Sequence, residues 1–298
     1  MIDVQIVAGK HPEVVTTCLE RLLDQRELVS RVLVANQTGA SLPRYDPIVT
    51  VTDVPQPRTF EANHNALASQ GDSEFILFLD DDAFIFPGAL SSVVAKAKAD
   101  PTILCASGTN NQTFRPPGPN LPMFTSLDAF LRDEENYRAY AKRRLTEFRD
   151  DWYTRVFCPG CFMLTRREHW QGSYGGWDES YVNWQEEVDY VLWGYERGLR
   201  TLISPGVFYV HLGSSSRSLS RVADSIAVSS RHFLTKFPAD RLTAIQKRMR
   251  KIDLSLLDQL KVIIADASER SDPARVVDGE LFRALSAVFE SREADSPT

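Results

Sequence analysis

The chain has 298 residues, of which 43% are hydrophobic and 25% are charged, and this composition excludes wholesale disorder. Its net charge of −6 argues against a nucleic-acid-binding protein. The sequence shows no apolar run close to the roughly 20 residues of a membrane span, and its start lacks the basic segment and long apolar core of a secretory signal. We therefore expect a cytoplasmic protein with one large α/β domain and an appendage, or with two small domains.

Apolar runs of strand length alternate with helical periods in the first hundred residues. Helical spacing is found, for example, at Val15, Leu19 and Leu22. Strands that alternate with helices predict an α/β fold with a doubly wound, mostly parallel sheet, which binds ligands at the carboxyl ends of its strands. The predicted strands are Val4–Ala8, Arg31–Ala35, Ile48–Thr52, Phe75–Asp80 and Ile103–Ser107.

The second half of the chain has longer segments without strand character. Residues 109–120, rich in Asn, Pro and Gly, predict a loop, and the strongly charged residues 126–151 predict an exposed helical insertion. Residues 188–195 carry one apolar helix face, and helices predominate again after residue 217. Strand-like runs return at Cys161–Thr165, Thr201–Ser204 and Val207–Val210.

Cys158 and Cys161 have the spacing of a redox-active pair. Such a pair is expected where a strand leads into a helix, because the helix N-terminus stabilises the thiolate. Here the pair leads into a strand-like run instead. A zinc site would need a second pair of Cys or His residues, and Cys18 and Cys105 do not form one. We therefore interpret the pair as two reduced cysteines near the start of a strand.

Three aspartates, Asp80, Asp81 and Asp82, follow the most apolar predicted strand. On an extended backbone Asp80 and Asp82 point to the same side, so their repulsion must be offset by a cation or by hydrogen-bond donors. A divalent ion such as Mg²⁺ or Mn²⁺, held by one or two carboxylates and completed by phosphate oxygens, meets that need. The alternative is an acidic turn that caps the next helix. The position after a buried strand favours the metal site.

A second acidic pair, Glu186 and Glu187, lies in the first turn of a predicted helix. Because the helix dipole favours acids at that position, a structural role is one explanation. The preceding loop combines two glycines with Trp177, Asp178 and Glu179. Flexibility, carboxylates and an exposed indole that can pack on a sugar ring predict one wall of a cleft for a hydroxyl-rich substrate.

His211 leaves the last predicted strand for a loop rich in Gly and Ser. A histidine in such a loop is exposed enough to bind a metal ion, and imidazole is an acceptable ligand for Mn²⁺. A lone histidine is more often structural, so the prediction that His211 is a ligand depends on the two acidic clusters.

Five segments follow one another along the chain: FILFLDDD, CFMLTRREHW, GGWDES, the helix start EEVD and VFYVHLGSSS. Their order resembles that of the family 2 glycosyltransferases, inverting enzymes with the GT-A fold, and is most similar to bacterial rhamnosyl- and galactofuranosyltransferase-like members. The resemblance covers about residues 3–216. It implies a GT-A catalytic domain over residues 1–216, with a nucleotide-sugar-binding half (1–108) and an acceptor-binding half (109–216), followed by a helical C-terminal region (217–298).

The resemblance also implies a role for each motif. The family's metal-binding DXD motif falls on Asp80–Asp82, so that Asp82 would hold the ion bridging the donor diphosphate and Asp80 would contact the ribose or the metal shell. The late metal-ligand histidine falls on His211, and the catalytic base falls on Glu187, with Glu186 as the second candidate. The other donor-binding candidates are Ala8, Asn36, Asn63 and Asp81, and the acceptor-binding candidates are Trp177, Asp178 and Glu179.

Two positions depart from the family pattern. Ala35 stands where an aspartate usually contacts the nucleotide base, which leaves Asn36 as the nearest polar substitute. Glu187 replaces the usual aspartate of the base motif and is longer by one methylene. The implied reaction is a direct displacement at the anomeric carbon, in which a carboxylate takes the proton of an acceptor hydroxyl and Mn²⁺ or Mg²⁺ offsets the charge on the leaving diphosphate.

Two other functions are alternatives to this one. A sugar-nucleotide pyrophosphorylase would carry a Gly-rich basic loop after its first strand, where this chain has AGKHP. A carbohydrate-binding protein that has lost catalysis on the same fold is the non-enzymatic alternative.

We expect a nucleotide-diphosphate sugar and a glycan or lipid-linked acceptor as partners. The basic segment 241–251 has an apolar stripe beside its charges. It either packs on the catalytic domain or touches the inner face of a membrane.

Overall fold

The computed structural model describes residues 1–9, 11–42, 46–55, 58–112, 125–182, 185–213 and 219–272. Predicted segments at 113–120, 214–216 and 273–298 lie outside this range. The elements in chain order are β1 (Ile2–Ala8), α1 (Pro12–Leu23), β2 (Val29–Asn36), β3 (Val49–Asp53), α2 (Phe60–Ala68), β4 (Phe75–Asp80), β5 (Ala83–Ile85), α3 (Ala89–Ala99), β6 (Ile103–Asn110), α4 (Leu127–Glu147), β7 (Tyr153–Thr154), β8 (Phe162–Arg166), α5 (Glu186–Glu196), β9 (Arg200–His211), α6 (Leu219–Lys236), α7 (Ala239–Ile252) and α8 (Ser255–Arg270).

Within the described residues, nine strands form one sheet in the order β3-β2-β1-β4-β8-β6-β9-β5, with β7 also pairing with β9. Strands β1 to β4 are parallel, as the alternation of strands and helices predicts. Strand β8 then lies antiparallel between β4 and β6, and β9 is parallel to β6. The carboxyl ends of β1, β2 and β4 therefore meet at one edge of a mixed sheet.

The two predicted runs 201–204 and 207–210 form the single strand β9. The strand continues through Pro205 and Gly206, and its register against β6 shifts between Gly108 and Thr109. A Cβ on Gly108 would lie 2.3 Å from the carbonyl oxygen of Val207, so only glycine allows this close approach. An irregular pairing thus replaces the expected break.

Both faces of the sheet are covered. Along β4, Phe75, Leu77 and Leu79 belong to one hydrophobic cluster with α1, α3 and α4. Ile76 and Phe78 belong to a second cluster with α5 and the C-terminal helices. This alternation explains why β4 is apolar at consecutive positions, as expected of a strand buried on both faces.

The helical segments predicted at 126–151 and after 217 are present, and both take part in the cores. Helix α4 buries Phe130 and Tyr137 in the first cluster, so the insertion is only partly exposed. Helix α7 buries its apolar stripe, including Ile245 and Met249, in the second cluster. The stripe therefore packs on the protein, which is the first of the two alternatives for this segment. The domain limits at residues 108 and 216 stay predictions.

Among the described helices, none combines the length with the apolar character that is needed to cross a membrane.

Candidate active site

The aspartate motif lies at the carboxyl end of β4, and β9 brings a histidine to it. Ala83 of β5 pairs with His211 at the end of β9, and the amide of Leu212 donates to the carbonyl of Asp82 over 3.1 Å. As a result, His211 Nε2 lies 3.1 Å from Asp82 Oδ1 and 3.4 Å from Asp80 Oδ2. Asp80 and Asp82 thus share one side of the strand end, as the spacing predicted.

The charge balance of this cluster depends on the two carboxylates. Burial acts to lower the pKa of His211, but the negative charge of Asp82 and the hydrogen bonds to Asp80 and Asp82 outweigh it, so the pKa lies well above its ordinary value. Without another cation, the imidazolium offsets the repulsion between Asp80 and Asp82. The same position could be taken by a metal ion.

A thiol completes the group. The ligand atoms of Asp80, Cys161 and His211 all lie within 4.8 Å of one another. Sequence reasoning treated Cys161 only as half of a redox-like pair and missed this position. The expectation of reduced cysteines agrees with the structure, in which all four cysteines of the chain are free and buried.

Asp81 makes a different contact from its neighbours. Its Oδ2 accepts a hydrogen bond from the amide of Gly9 over 2.7 Å, just after β1 ends at Ala8. Asp81 is 5% exposed. This aspartate therefore fixes the loop that follows β1 and holds it beside the end of β4.

Two asparagines predicted at the donor site hold the backbone around it. Asn36 donates to Asp53 Oδ1 at 2.7 Å and to the carbonyl of Ala40 at 2.8 Å, so it organises the loop after β2. Asn63 is 1% exposed and donates to the carbonyl of Thr59 at the start of α2. Direct donor contacts for Ala8, Asn36, Asn63 and Asp81 stay predictions.

Helix α5 begins at Glu186, as the sequence predicted, and carries both glutamates in its first turn. Gln185 before it has a φ of 74°, a left-handed conformation that non-glycine residues rarely adopt. The side chain of Glu187 packs against Gly160 in the turn before β8. A Cβ at position 160 would lie only 2.4 Å from Glu187 Oε1. The missing side chain of Gly160 therefore makes room for this carboxylate.

The two glutamates differ in their surroundings. Burial raises the pKa of Glu187 to about 7; the charges of Asp80 and Glu61 add to the rise, while a backbone hydrogen bond to Gly160 opposes it. Glu186 is 4% exposed. Burial, followed by the charges of Glu187 and Glu61, raises the pKa of Glu186 well above its ordinary value. Glu187 is only partly buried, so it is the more accessible of the two.

Glu61 is a member of this carboxylate group that sequence reasoning missed. It lies in the first turn of α2 and is fully buried. A glutamate just after the N-cap Thr59 is an ordinary feature of a helix start, so the local sequence carries no signal of its electrostatic effect on the α5 glutamates.

The prediction that the indole of Trp177 is exposed is wrong. Trp177 is 3% exposed, and its ring packs between Phe78, Trp170 and Tyr190, with centroids 5.1–5.7 Å apart. The loop is pulled inward because Asn65 accepts from the amide of Trp177 and donates to its carbonyl. This ring stabilises the core and does not present a face to a sugar.

Asp178 and Glu179 bind side chains of two different helices, α6 and α2. Asp178 Oδ2 lies 2.7 Å from Lys236 Nζ and 3.0 Å from His232 Nε2. Burial acts to raise the pKa of Asp178, but these hydrogen bonds lower it below its ordinary value. Glu179 is exposed and accepts from Asn65 over 2.9 Å. Acceptor binding by either carboxylate stays a prediction.

The donor set fits a divalent ion. Both carboxylates lie within 3.4 Å of the His211 imidazole nitrogen, and such oxygen and nitrogen ligands suit Mn²⁺ and Mg²⁺, with imidazole better accepted by Mn²⁺. The thiol of Cys161 adds a softer donor to the same group.

Solved structures of other proteins are similar to this chain. The mannosyltransferase PcManGT from Pyrobaculum calidifontis, in complex with GDP-Man and Mn²⁺, has a TM-score of 0.55 at 14% identity, over 99% of this chain and 86% of that chain. GalNAc-T7 with UDP, GalNAc and Mn²⁺ has a TM-score of 0.53 at 13% identity, over 76% of this chain and 47% of that chain. No curated protein matches the sequence.

At these identities the structural likeness shows the fold alone, and it is the GT-A fold of glycosyltransferases. The family model described as Glycosyl transferase family 2 matches residues 4–172, which is more than half of the chain. The chain therefore belongs to glycosyl transferase family 2.

Proposed function

We propose that this protein is a metal-dependent, inverting glycosyltransferase that moves a sugar from a nucleotide-diphosphate donor to a hydroxyl group of a saccharide, lipid-linked or small-molecule acceptor. The observation that carries the proposal is the contact of His211 with Asp80 and Asp82 at one strand end, with the Glu187 carboxylate packed against Gly160 nearby. The first three residues hold a cation, and the fourth is an acid–base group.

Asp82, Asp80 and His211 would hold Mn²⁺ or Mg²⁺. Such an ion supplies Lewis-acid stabilisation of the charge that develops on the leaving diphosphate. The Asp81–Gly9 hydrogen bond positions the loop after β1 beside the same strand end, where a doubly wound sheet binds its ligand. Both structural neighbours hold a nucleotide or nucleotide sugar together with Mn²⁺, which supports this assignment.

Glu187 is our candidate for the general base. It accepts the proton of the acceptor hydroxyl on Oε1 or Oε2 as that oxygen attacks the anomeric carbon. Attack from the face opposite the leaving diphosphate inverts the configuration. A pKa of about 7 suits the role, because a base works best when its pKa is close to the operating pH.

The proposal extends to the residue that contacts the acceptor and to the class of sugar that is transferred. Glu179 is the exposed carboxylate of the loop predicted to bind the acceptor, and we expect it to contact acceptor hydroxyls. We expect a hexosyl or deoxyhexosyl donor, as the rhamnosyl- and galactofuranosyltransferase-like resemblance implies.

The test is release of nucleoside diphosphate from a panel of sugar nucleotides, with Mn²⁺ and then with EDTA. We expect turnover that EDTA abolishes and that Mn²⁺ or Mg²⁺ restores. Asp82→Asn should weaken donor binding and turnover together, whereas Asp150→Asn removes an exposed carboxylate elsewhere and should change neither. Full activity in EDTA would contradict the metal-dependent mechanism.

The same assay separates the alternatives. A pyrophosphorylase would release pyrophosphate from a nucleoside triphosphate and a sugar 1-phosphate. A carbohydrate-binding protein without catalysis would bind sugar nucleotides without hydrolysing them in the presence of Mn²⁺.

A further inference from the structure

The thiol of Cys161 is held beside the acidic strand end by the backbone. The amide of Asp80 donates to the carbonyl of Cys161 over 3.1 Å, immediately before β8 pairs with β4. Because this hydrogen bond joins the two main chains, the Cys161 side chain keeps its place relative to the aspartates. Its position is therefore a property of the sheet and not of a loose loop.

The distances between side-chain atoms also place the Cys161 thiol close to the candidate metal ligands. Cys161 Sγ, Asp80 Oδ and His211 Nε2 or Nδ1 lie within 4.8 Å of one another. Ligand atoms around one ion with metal–ligand distances of about 2.0–2.3 Å are themselves roughly 3–4 Å apart, so small side-chain rotations bring all three into contact with a single ion. The Sγ atom also lies 3.1 Å from the hydroxyl of Tyr209, which can donate to a bound thiolate.

The other cysteine of the pair has different neighbours. Cys158 interacts with Cys105 of β6 through a sulfur hydrogen bond. The spacing of Cys158 and Cys161 therefore does not reflect one shared function, and Cys158 is a natural control.

We propose that Cys161 is a direct ligand of the divalent metal ion, so that the centre combines hard carboxylate oxygens and an imidazole with one thiolate. This inference deepens the proposed function, because it concerns the same metal site. Binding replaces the S–H bond with an S–metal bond and releases the proton to solvent. Because thiolate favours softer ions, Cd²⁺, Zn²⁺ and Co²⁺ should bind more tightly than Mn²⁺ and compete with it.

Cobalt substitution gives a direct test. Metal-free protein, prepared with EDTA and then dialysed, is titrated with Co²⁺ while its spectrum is recorded. Bound Co²⁺ gives visible d–d bands, and a Co²⁺–thiolate bond adds a sulfur-to-metal charge-transfer band in the near ultraviolet. We expect both in the wild type. Cys161→Ser and Cys161→Ala should keep the d–d bands and lose the charge-transfer band, whereas Cys158→Ala should keep both.

Equilibrium dialysis measures the same effect as an affinity. Cys161→Ser should weaken Cd²⁺ binding by at least about tenfold and change Mn²⁺ binding far less. Visible bands without a charge-transfer band in the wild type would overturn the assignment of Cys161 and leave the proposed function intact. A charge-transfer band that survives in both Cys161 variants would overturn it as well. Absence of all cobalt bands would contradict the metal site itself, and with it the proposed metal dependence.

Discussion

The assignment of the base is tested by replacing Glu187 with Gln, which keeps the shape of the side chain and removes its ability to take a proton. Loss of a general base typically costs 10²–10⁴-fold in rate, so we expect kcat to fall by about that factor with little change in donor affinity. In the wild type, kcat should rise with pH to a plateau as Glu187 ionises, with a midpoint below about pH 7, because the bound cation lowers the pKa that burial raises to about 7 in the metal-free protein. The Gln variant should lack this rise.

The same substitution has a predicted effect on stability. Burial raises the pKa of Glu187 from 4.5 to about 7, so the folded protein binds this proton more tightly than the unfolded chain does. The free energy of unfolding should therefore fall as the pH rises from about 4.5 to about 7. At about 1.4 kcal/mol for each pKa unit, the penalty at pH 8 is up to about 3 kcal/mol, reduced by solvent at the partly exposed carboxylate.

Urea unfolding in EDTA measures this penalty, because a bound cation would itself lower the pKa of Glu187. Glu187→Gln should be more stable than the wild type at pH 8, with the difference vanishing near pH 4. Equal stabilities at both pH values would refute the argument that an ionised Glu187 is costly in this fold.

Glu186→Gln is the matched control. Burial and the neighbouring carboxylates hold the pKa of Glu186 well above its ordinary value, so its neutral form, which Gln resembles, is favoured. Its kcat should fall far less than that of Glu187→Gln. The reverse ranking would transfer the role to Glu186, and wild-type rates in both variants would mean that the base is elsewhere.

Two further predictions concern His211 and Trp177. His211→Ala should raise the Mn²⁺ concentration needed for half-maximal activity while the fold survives; an unchanged requirement would make His211 a structural residue. Trp177→Ala should lower the free energy of unfolding by about 3–5 kcal/mol in urea titrations, because its ring is buried among other aromatic rings. Wild-type stability with weaker acceptor binding would instead restore the predicted role of Trp177 in contacting the substrate.

Much of the fold follows from local patterns. The predicted strand Phe75–Asp80 has the same bounds as β4. Its consecutive apolar residues are buried alternately in the two hydrophobic clusters on opposite faces of the sheet. Strand β5 was missed, since Ala83–Ile85 is too short to show a period. Yet β5 is the element that pairs with the end of β9 and brings His211 to the aspartates. The site residues were therefore predictable by type, while the contact between them was not.

Trp177 shows how a correct motif can lead to a wrong orientation. A tryptophan after two glycines, beside carboxylates, looks like a sugar-binding ring. Its direction is decided by Asn65, more than a hundred residues earlier, whose amide binds both the NH and the carbonyl of Trp177. No local pattern contains that contact, so burial could not be inferred from the loop alone.

The turn before β8 shows that the sequence spacing of two cysteines does not by itself identify their function. Cys158 and Cys161 have the separation of a dithiol, but Cys158 contacts Cys105 whereas Cys161 joins Asp80 and His211. Between them, Gly160 leaves room for the carboxylate of Glu187. One tight turn therefore touches both the candidate base and the candidate metal site, and it fixes their separation. A side chain at position 160 should displace the base, while Asp80, Asp82 and His211 keep their places because they lie at the ends of β4 and β9.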